Sequence, residues 1–210
     1  MEDTEYDYSH KLTLLGEAGV GKTNLILRFV DNKFEPSSKP TIGVDTKYKI
    51  ITYEGRKVRI QLWDTAGQER FRATSAQSIR GVSGVVLVYD ISKRETFDRI
   101  EKYVSLIADN AARDVRVLLI GNKMDLLENR NVTAEEGRKF ADAHGYFFVE
   151  TSALTNEGNC VEKAFDMLLK ETVKDVIERE EKMEREALER ERGSSILIKP
   201  PKKAAEKKCC

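Results

Sequence analysis

The sequence has little of what would place it outside the cell or across a membrane. It holds three cysteines, two of which, Cys209 and Cys210, are adjacent at the end, so it offers no disulfide framework. No run approaches the ~18 apolar residues of a spanning helix. The opening stretch MEDTEYDYSH has neither the basic start nor the apolar core of a secretory signal. A cytosolic protein is expected. An excess of charge of one sign is lacking as well: 36 Lys and Arg balance 36 Asp and Glu, so no global field points to nucleic acid or to an acidic substrate. The 210 residues suit one well-buried domain with an appendage, and a monomer is expected.

What the chain does have is an alternation of apolar runs with helix-like segments. Residues 10–15 read as a strand and 23–30 as a helix; 46–53 and 57–63 alternate around Glu54-Gly55, a hairpin signal. The runs GVVLVYD (84–90) and VRVLLIG (115–121) suit buried parallel strands, with a helix over 94–110 between them. Thr133 and Glu136 form a capping box before a helix ending near His144-Gly145, YFFVE (146–150) is a last strand, and a final helix starts near Asn159. Strands separated by helices imply an α/β doubly wound sheet, whose ligands bind at loops beyond the carboxyl ends of the strands.

From about Glu178 the helical pattern becomes almost wholly charged, with Glu178–Lys182, Glu181–Arg185 and Glu186–Arg190 at i,i+4 spacing. It reads as a solvated helix extension, with a short coiled-coil seam through Val176, Met183 and Leu188 as the alternative. The expected division is a folded domain over 8–177, a charged helical extension over 178–193 and a flexible tail over 194–210.

Gly16 to Thr23 reads GEAGVGKT, a full G-x-x-x-x-G-K-[ST] match that follows a predicted strand and opens a predicted helix. In that context glycines let backbone N–H groups curl around a phosphate beside a helix N-terminus. Lys22 supplies a point charge to the β- and γ-phosphates, and the Thr23 hydroxyl is a candidate ligand of a Mg²⁺ that bridges them. A phosphate loop alone serves ATP or GTP, so the base must be read elsewhere. The stretch NKMD (122–125) follows the buried strand VRVLLIG. A carboxylate at Asp125 can accept two hydrogen bonds from guanine N1–H and the 2-amino group, which adenine does not offer; adenine would leave it buried and unpaired. Asn122 can tie the loop and meet the base edge, and the Lys123 stem can lie across the ring.

GEAGVGKT, PTIG (40–43), WDTAGQE (63–69), NKMD and ETSAL (150–154) occur in the order and rough spacing of Ras-like small GTPases, a resemblance that spans about residues 8–175. It implies a P-loop NTPase fold with a six-stranded, mostly parallel sheet and five helices. It implies a nucleotide site built from Ala18, Gly19, Val20, Gly21, Lys22, Thr23, Asn24, Phe34, Thr41, Gly67, Asn122, Lys123, Asp125, Ser152, Ala153 and Leu154. Phe34 resembles the aromatic that packs on guanine, and the backbone around Ser152 and Ala153 would contact guanine O6. Thr41 resembles the threonine that joins the Mg²⁺ shell only when a γ-phosphate is present. Asp64 would hold the metal through water, and the Gly67 N–H would meet the γ-phosphate.

The activity implied is hydrolysis of GTP to GDP, with Lys22, Thr41 and Gln68 as the catalytic set and Gln68 orienting the attacking water. No arginine is evidently placed to stabilise the leaving phosphate in cis, so slow intrinsic turnover and stimulation by an activating protein are expected. The γ-phosphate and Mg²⁺ would order switch I (34–45) and switch II (66–80), the surfaces for exchange factor, activating protein, dissociation inhibitor or escort protein, and effectors.

IGVD (42–45), WDTAGQERFR and LVYDIS (87–92) resemble Rab proteins most, which implies vesicle and membrane trafficking. The chain departs from that pattern where Thr46 replaces an aromatic and Ser78-Ile79 replace two tyrosines, and Ala18 occupies a position that is glycine in Ras. The terminal Cys209-Cys210 resembles a doubly geranylgeranylated end, which would anchor the chain to the cytosolic face of an endomembrane with help from Lys202, Lys203, Lys207 and Lys208. Ile196 to Ile198 resembles the segment that engages the escort protein. Two alternatives stay open here: a nucleotide-loaded scaffold with negligible turnover, and an ATP-dependent kinase or ATPase.

Overall fold

The computed structural model describes residues 5–37, 40–67 and 72–195, without the side chains of 72–75, 184 and 191–195. Gln68, Ile196 to Ile198, the tail lysines, Cys209 and Cys210 lie outside the described residues.

Six strands form one sheet in the order β2-β3-β1-β4-β5-β6: β1 (Tyr8–Leu15), β2 (Val44–Tyr53), β3 (Arg56–Thr65), β4 (Gly84–Asp90), β5 (Arg116–Asn122) and β6 (Phe147–Glu150). Only the β2–β3 pair is antiparallel. It is joined at Glu54-Gly55, where both residues have positive φ (49° and 80°), the backbone that a two-residue turn between right-twisted strands demands. Helices α1 (Lys22–Asp31), α2 (Arg72–Ile79), α3 (Arg94–Asp98), α4 (Ile100–Asn110), α5 (Ala134–His144) and α6 (Cys160–Ser195) complete the order.

The burial of each strand follows its place in the sheet. All seven residues of β4 are buried, as a parallel strand covered on both faces requires, whereas the edge strand β2 buries none and alternates along its length. Against one face, Phe29 of α1 stacks on Phe165 of α6 with centroids 4.4 Å apart; against the other, Tyr89, Phe97 and Phe140 meet edge to face. The capping box is present, with the Thr133 hydroxyl accepting from the Glu136 N–H and the Glu136 carboxylate accepting in return, and α5 stops at Gly145, whose φ is 68°.

The helix expected over 94–110 is drawn in two segments. They meet at Arg99, whose φ of −85° and ψ of −4° open the turn locally. The helix α2 inside the segment read as switch II, and a 3₁₀ turn at Met124–Asn129, carried no sequence signal of their own.

The chain divides into two compact units, residues 1–174 and 175–210. The first holds the sheet. In the described part of the second, α6 exposes Met183 and Leu188 (69% and 55%) among charged residues. No helix among the described residues is long and apolar enough to cross a membrane.

Five strands run the same way, so the segments after β1, β3, β5 and β6 all emerge at one edge of the sheet, and β1 lies where the strand order reverses.

Candidate functional site

At that edge lies a cleft of about 390 Å³, lined by the β1–α1 loop and the start of α1, residues 34–41, the end of β3, and the loops after β5 and β6. The volume suits a small organic ligand. Of the residues expected at a nucleotide site, Ala18, Gly19, Gly21, Lys22, Thr23, Asn24, Phe34, Thr41, Gly67, Asn122, Lys123, Asp125, Ala153 and Leu154 line it. Val20 does not: its side chain is fully buried, and its carbonyl accepts a bond from Asn122. Ser152 and Asp64 stand just behind the wall, both 3% exposed. Pro36, Pro40 and Thr65 line the cleft too; Pro40 and Thr65 belong to PTIG and WDTAGQE and Pro36 to switch I, but none was named as a site residue.

The β1–α1 loop folds as its glycines dictate. Gly16, Gly19 and Gly21 have φ of 144°, 77° and 100°, and a Cβ on Gly21 would overlap the Asn122 amide. Lys22 opens α1 with its side chain turned inward, its ammonium donating to the carbonyls of Gly16 (2.8 Å) and Glu17 (3.0 Å). Burial pushes this amine down to about 8, although Asp64 and Glu17 favour its charge. A buried cation whose hydrogen bonds go to carbonyl oxygens is a ready partner for an anion.

Beside it, three oxygen donors from three elements converge. Asp64 Oδ2 accepts from Thr23 Oγ1 at 2.6 Å and Thr41 Oγ1 at 3.0 Å, and the two hydroxyls are 3.2 Å apart. Burial raises the Asp64 carboxyl, with Thr23, Lys22 and Thr41 pulling the other way. Its Oδ1 is buried without a hydrogen-bond partner. Two hydroxyls and a carboxylate with an unmet oxygen form a hard donor set that fits Mg²⁺. No group of three or more His, Cys, Asp or Glu that could hold a metal occurs among the described residues.

At the opposite end of the cleft, side chains from separate loops and strands bond to one another. Asn122 Nδ2 donates to Val20 O (2.8 Å), while its Oδ1 accepts from Thr151 Oγ1 (3.2 Å) and the Ala153 N–H (3.3 Å). The tie that the sequence suggested is therefore present, and it occupies both polar atoms of the amide. Asp125 accepts from Ser152 Oγ through Oδ1. Lys123, in the left-handed region (φ 71°), places its ammonium 2.7 Å from Asp90 Oδ2. Asp90 is fully buried; burial acts to raise its carboxyl, but Lys123 and Ser92 bring it below the usual range.

The roles of four further side chains, Asp90, Arg28, Asn24 and Glu17, were not read from the sequence, because their partners are remote in it. Arg28 of α1 donates to the carbonyls of Ala153 and Leu154, and Asn24 exchanges two bonds with the backbone of Glu35. Glu17 reaches Arg99 at the α3–α4 break (2.8 Å) and Lys102 (3.3 Å) and Tyr103 on α4, and the charges of Arg99 and Lys102 lower its carboxyl against the effect of burial. Among the described residues lining the cleft, Lys22 and Lys123 are the cations and there is no arginine.

Comparison with known proteins gives one answer throughout. The Ras family profile matches residues 11–174. Ras-related protein rab-11.1 of Caenorhabditis elegans is 40% identical over 208 residues, 99% of this chain and 97% of the relative. Ras-related protein Rab-11A of Dictyostelium discoideum is 44% identical over 165 residues, covering 79% and 76%, and RABA2b of Arabidopsis thaliana is 45% identical over 169 residues, covering 80% and 78%. Motifs, sheet order, cleft and relatives agree: the chain belongs to the Ras family and is a Rab-like small GTPase.

Proposed function

We propose that the cleft holds a guanine nucleotide with its phosphates at Lys22 and its base at Asp125, and that the chain hydrolyses GTP as a switch in vesicle trafficking. The observation that carries this reading is the placement of two unlike ends in one cleft. One is a buried lysine beside a hard-oxygen donor set; the other is a loop built around a single carboxylate.

Lys22 and the backbone N–H groups of residues 18–24 receive the β- and γ-phosphates. Thr23 and Thr41 would hold Mg²⁺ directly and Asp64 through water, the ion neutralising phosphate charge when bound. At the other end Asp125 accepts from guanine N1–H and the 2-amino group, Phe34 and the Lys123 stem flank the ring, and the backbone at Ser152 and Ala153 receives O6. Gln68 orients a water in line with the γ-phosphorus. The oxygen of that water bonds to phosphorus as the bond to the β–γ bridging oxygen breaks, releasing GDP and inorganic phosphate. With no arginine among the described residues lining the cleft, acceleration would come from an activating protein in trans.

The γ-phosphate would hold Thr41 and Gly67, ordering switch I (34–45) and switch II (66–80) for effectors; an exchange factor and a dissociation inhibitor or escort protein would act on the same surfaces. Working domain bounds of 8–177, 178–193 and 194–210 leave a tail long enough to carry lipid on Cys209 and Cys210 at the cytosolic face of an endomembrane. A Mg²⁺ titration of nucleotide release tests the assignment. Thr41→Ala is expected to weaken GTP retention while sparing GDP, and Gln68→Leu to abolish single-turnover hydrolysis with binding intact. Equal loss of GTP and GDP in Thr41→Ala would count against the switch I role.

A further inference from the structure

Arg28 is not named by any of the motifs, yet its guanidinium makes four hydrogen bonds that join two regions with no sequence connection. Nε donates to Ala153 O at 3.0 Å and Nη2 to Leu154 O at 3.1 Å, fixing the loop after β6 where it lines the cleft. Nη1 donates to both the carbonyl and the side-chain oxygen of Asn32, each at 3.0 Å. Asn32 caps α1 in the left-handed region (φ 52°) and begins the segment that carries Phe34 into the cleft. One turn nearer the phosphate loop, Asn24 exchanges two bonds with Glu35, through Nδ2 to the carbonyl (3.0 Å) and from the N–H to Oδ1 (2.8 Å). Phe34 is thus pinned to α1 on both sides, and one of the pins also grips the opposite wall.

Ala153 shows what the grip does. Its N–H donates to Asn122 and its carbonyl accepts from Arg28, so the two peptide units that flank Ala153 are each held by a bond to another element. A planar guanidinium serves this geometry well, because its fixed fork reaches two adjacent carbonyls and an amide together, which an ammonium on a flexible stem does not.

We propose that Arg28 is a positioning residue for nucleotide retention, coupling the root of switch I at Asn32–Glu35 to the base-contacting loop at Ala153–Leu154. The inference rests on the reading of the cleft given above. Lifting residues 32–35 away from α1 removes two acceptors from the guanidinium and loosens the base loop in the same motion, so a partner that grasps only switch I also weakens the hold on the base.

The test is the release rate of a fluorescent GDP analogue from the preloaded full-length chain in Mg²⁺ buffer. Arg28→Ala is expected to release it about tenfold faster or more, the size of one lost charge-assisted bond. Arg28→Lys should recover part of that, and Asn32→Gly, which keeps the left-handed cap, should give a smaller acceleration. The double variant Arg28→Ala/Asn32→Gly should release no faster than Arg28→Ala alone, because Asn32 acts through Arg28. Wild-type release from Arg28→Ala, or accelerations that multiply in the double variant, would overturn the coupling while leaving the cleft assignment in place. If Arg28→Ala fails to fold, the Lys and Asn32→Gly variants decide it: wild-type release from both overturns the proposal. A wild-type protein that retains no guanine nucleotide would overturn the reading of the cleft and this inference with it.

Discussion

The two ends of the cleft are built on opposite principles. At the phosphate end burial works against charge: Lys22 is depressed by burial and donates to two carbonyls, and Asp64 is raised by burial with Oδ1 unpaired. At the base end Asn122, Asp90, Lys123 and Arg28 are each tied to partners from other elements. The first arrangement costs stability until a ligand supplies charge; the second is rigid before the ligand arrives. Retention should therefore be cooperative, with phosphates and metal completing one end while the base docks into the other.

The sharpest way to break this contrast is to remove the buried charge. Lys22→Met is expected to lower nucleotide affinity about 100-fold or more, as truncating one partner of a buried charge pair does, while leaving the nucleotide-free protein at least as stable as wild type. Calorimetric binding and thermal melting of the empty protein check the two halves; a clear fall in empty-state Tm would contradict the account. The matching change at the base end should behave differently. Asn122→Ala removes three bonds and strands Val20 O and the Ala153 N–H, so it is expected to cost about 2–3 kcal/mol of stability even without ligand. Denaturant titration of the empty protein measures that directly.

Away from both ends, His10 sets the acid limit of the fold. It is fully buried, Nε2 lies 2.9 Å from Thr172 Oγ1, and burial lowers its pKa from 6.5 to about 4. Below pH 6.5 the unfolded chain takes up a proton that the folded chain refuses until about 4, so the unfolded state binds more protons and stability falls as the pH falls through that window. The loss is expected to be about 2 kcal/mol at pH 5 relative to pH 7, and to shrink in His10→Gln. Comparisons of the two ends thus belong at neutral pH. The smallest effect is expected at Gly145, whose φ of 68° ends α5 with open space around a would-be Cβ. Gly145→Ala should cost about 1 kcal/mol from backbone strain alone and leave nucleotide binding unchanged.

What could be read from the sequence divides along a physical line. Strands and hairpin were legible because burial on two faces, alternation and positive-φ turns are written locally, as in GVVLVYD and Glu54-Gly55. Residues lining the cleft were legible because a phosphate loop constrains neighbours in sequence: Gly21, Lys22 and Thr23 sit on one turn. The contacts that fix the base end were not. Arg28 reads as an ordinary basic residue near a helix end, and Asp90 as the end of a strand; their partners, Ala153 and Lys123, are brought near only by the sheet order. The break at Arg99 was hidden for a related reason, since the residues on both sides keep helical periodicity and only the backbone angles depart.

The most direct test of the central claim is competition of GTP, GDP, ATP and xanthine nucleotides for wild type and Asp125→Asn in the presence of Mg²⁺. The account predicts strong guanine preference in the wild type, shifted toward xanthine in the variant, because an amide donates to the 2-oxygen where the carboxylate accepted from the 2-amino group. Equal competition by ATP and GTP, or a variant that keeps guanine preference, would mean that Asp125 does not read the base.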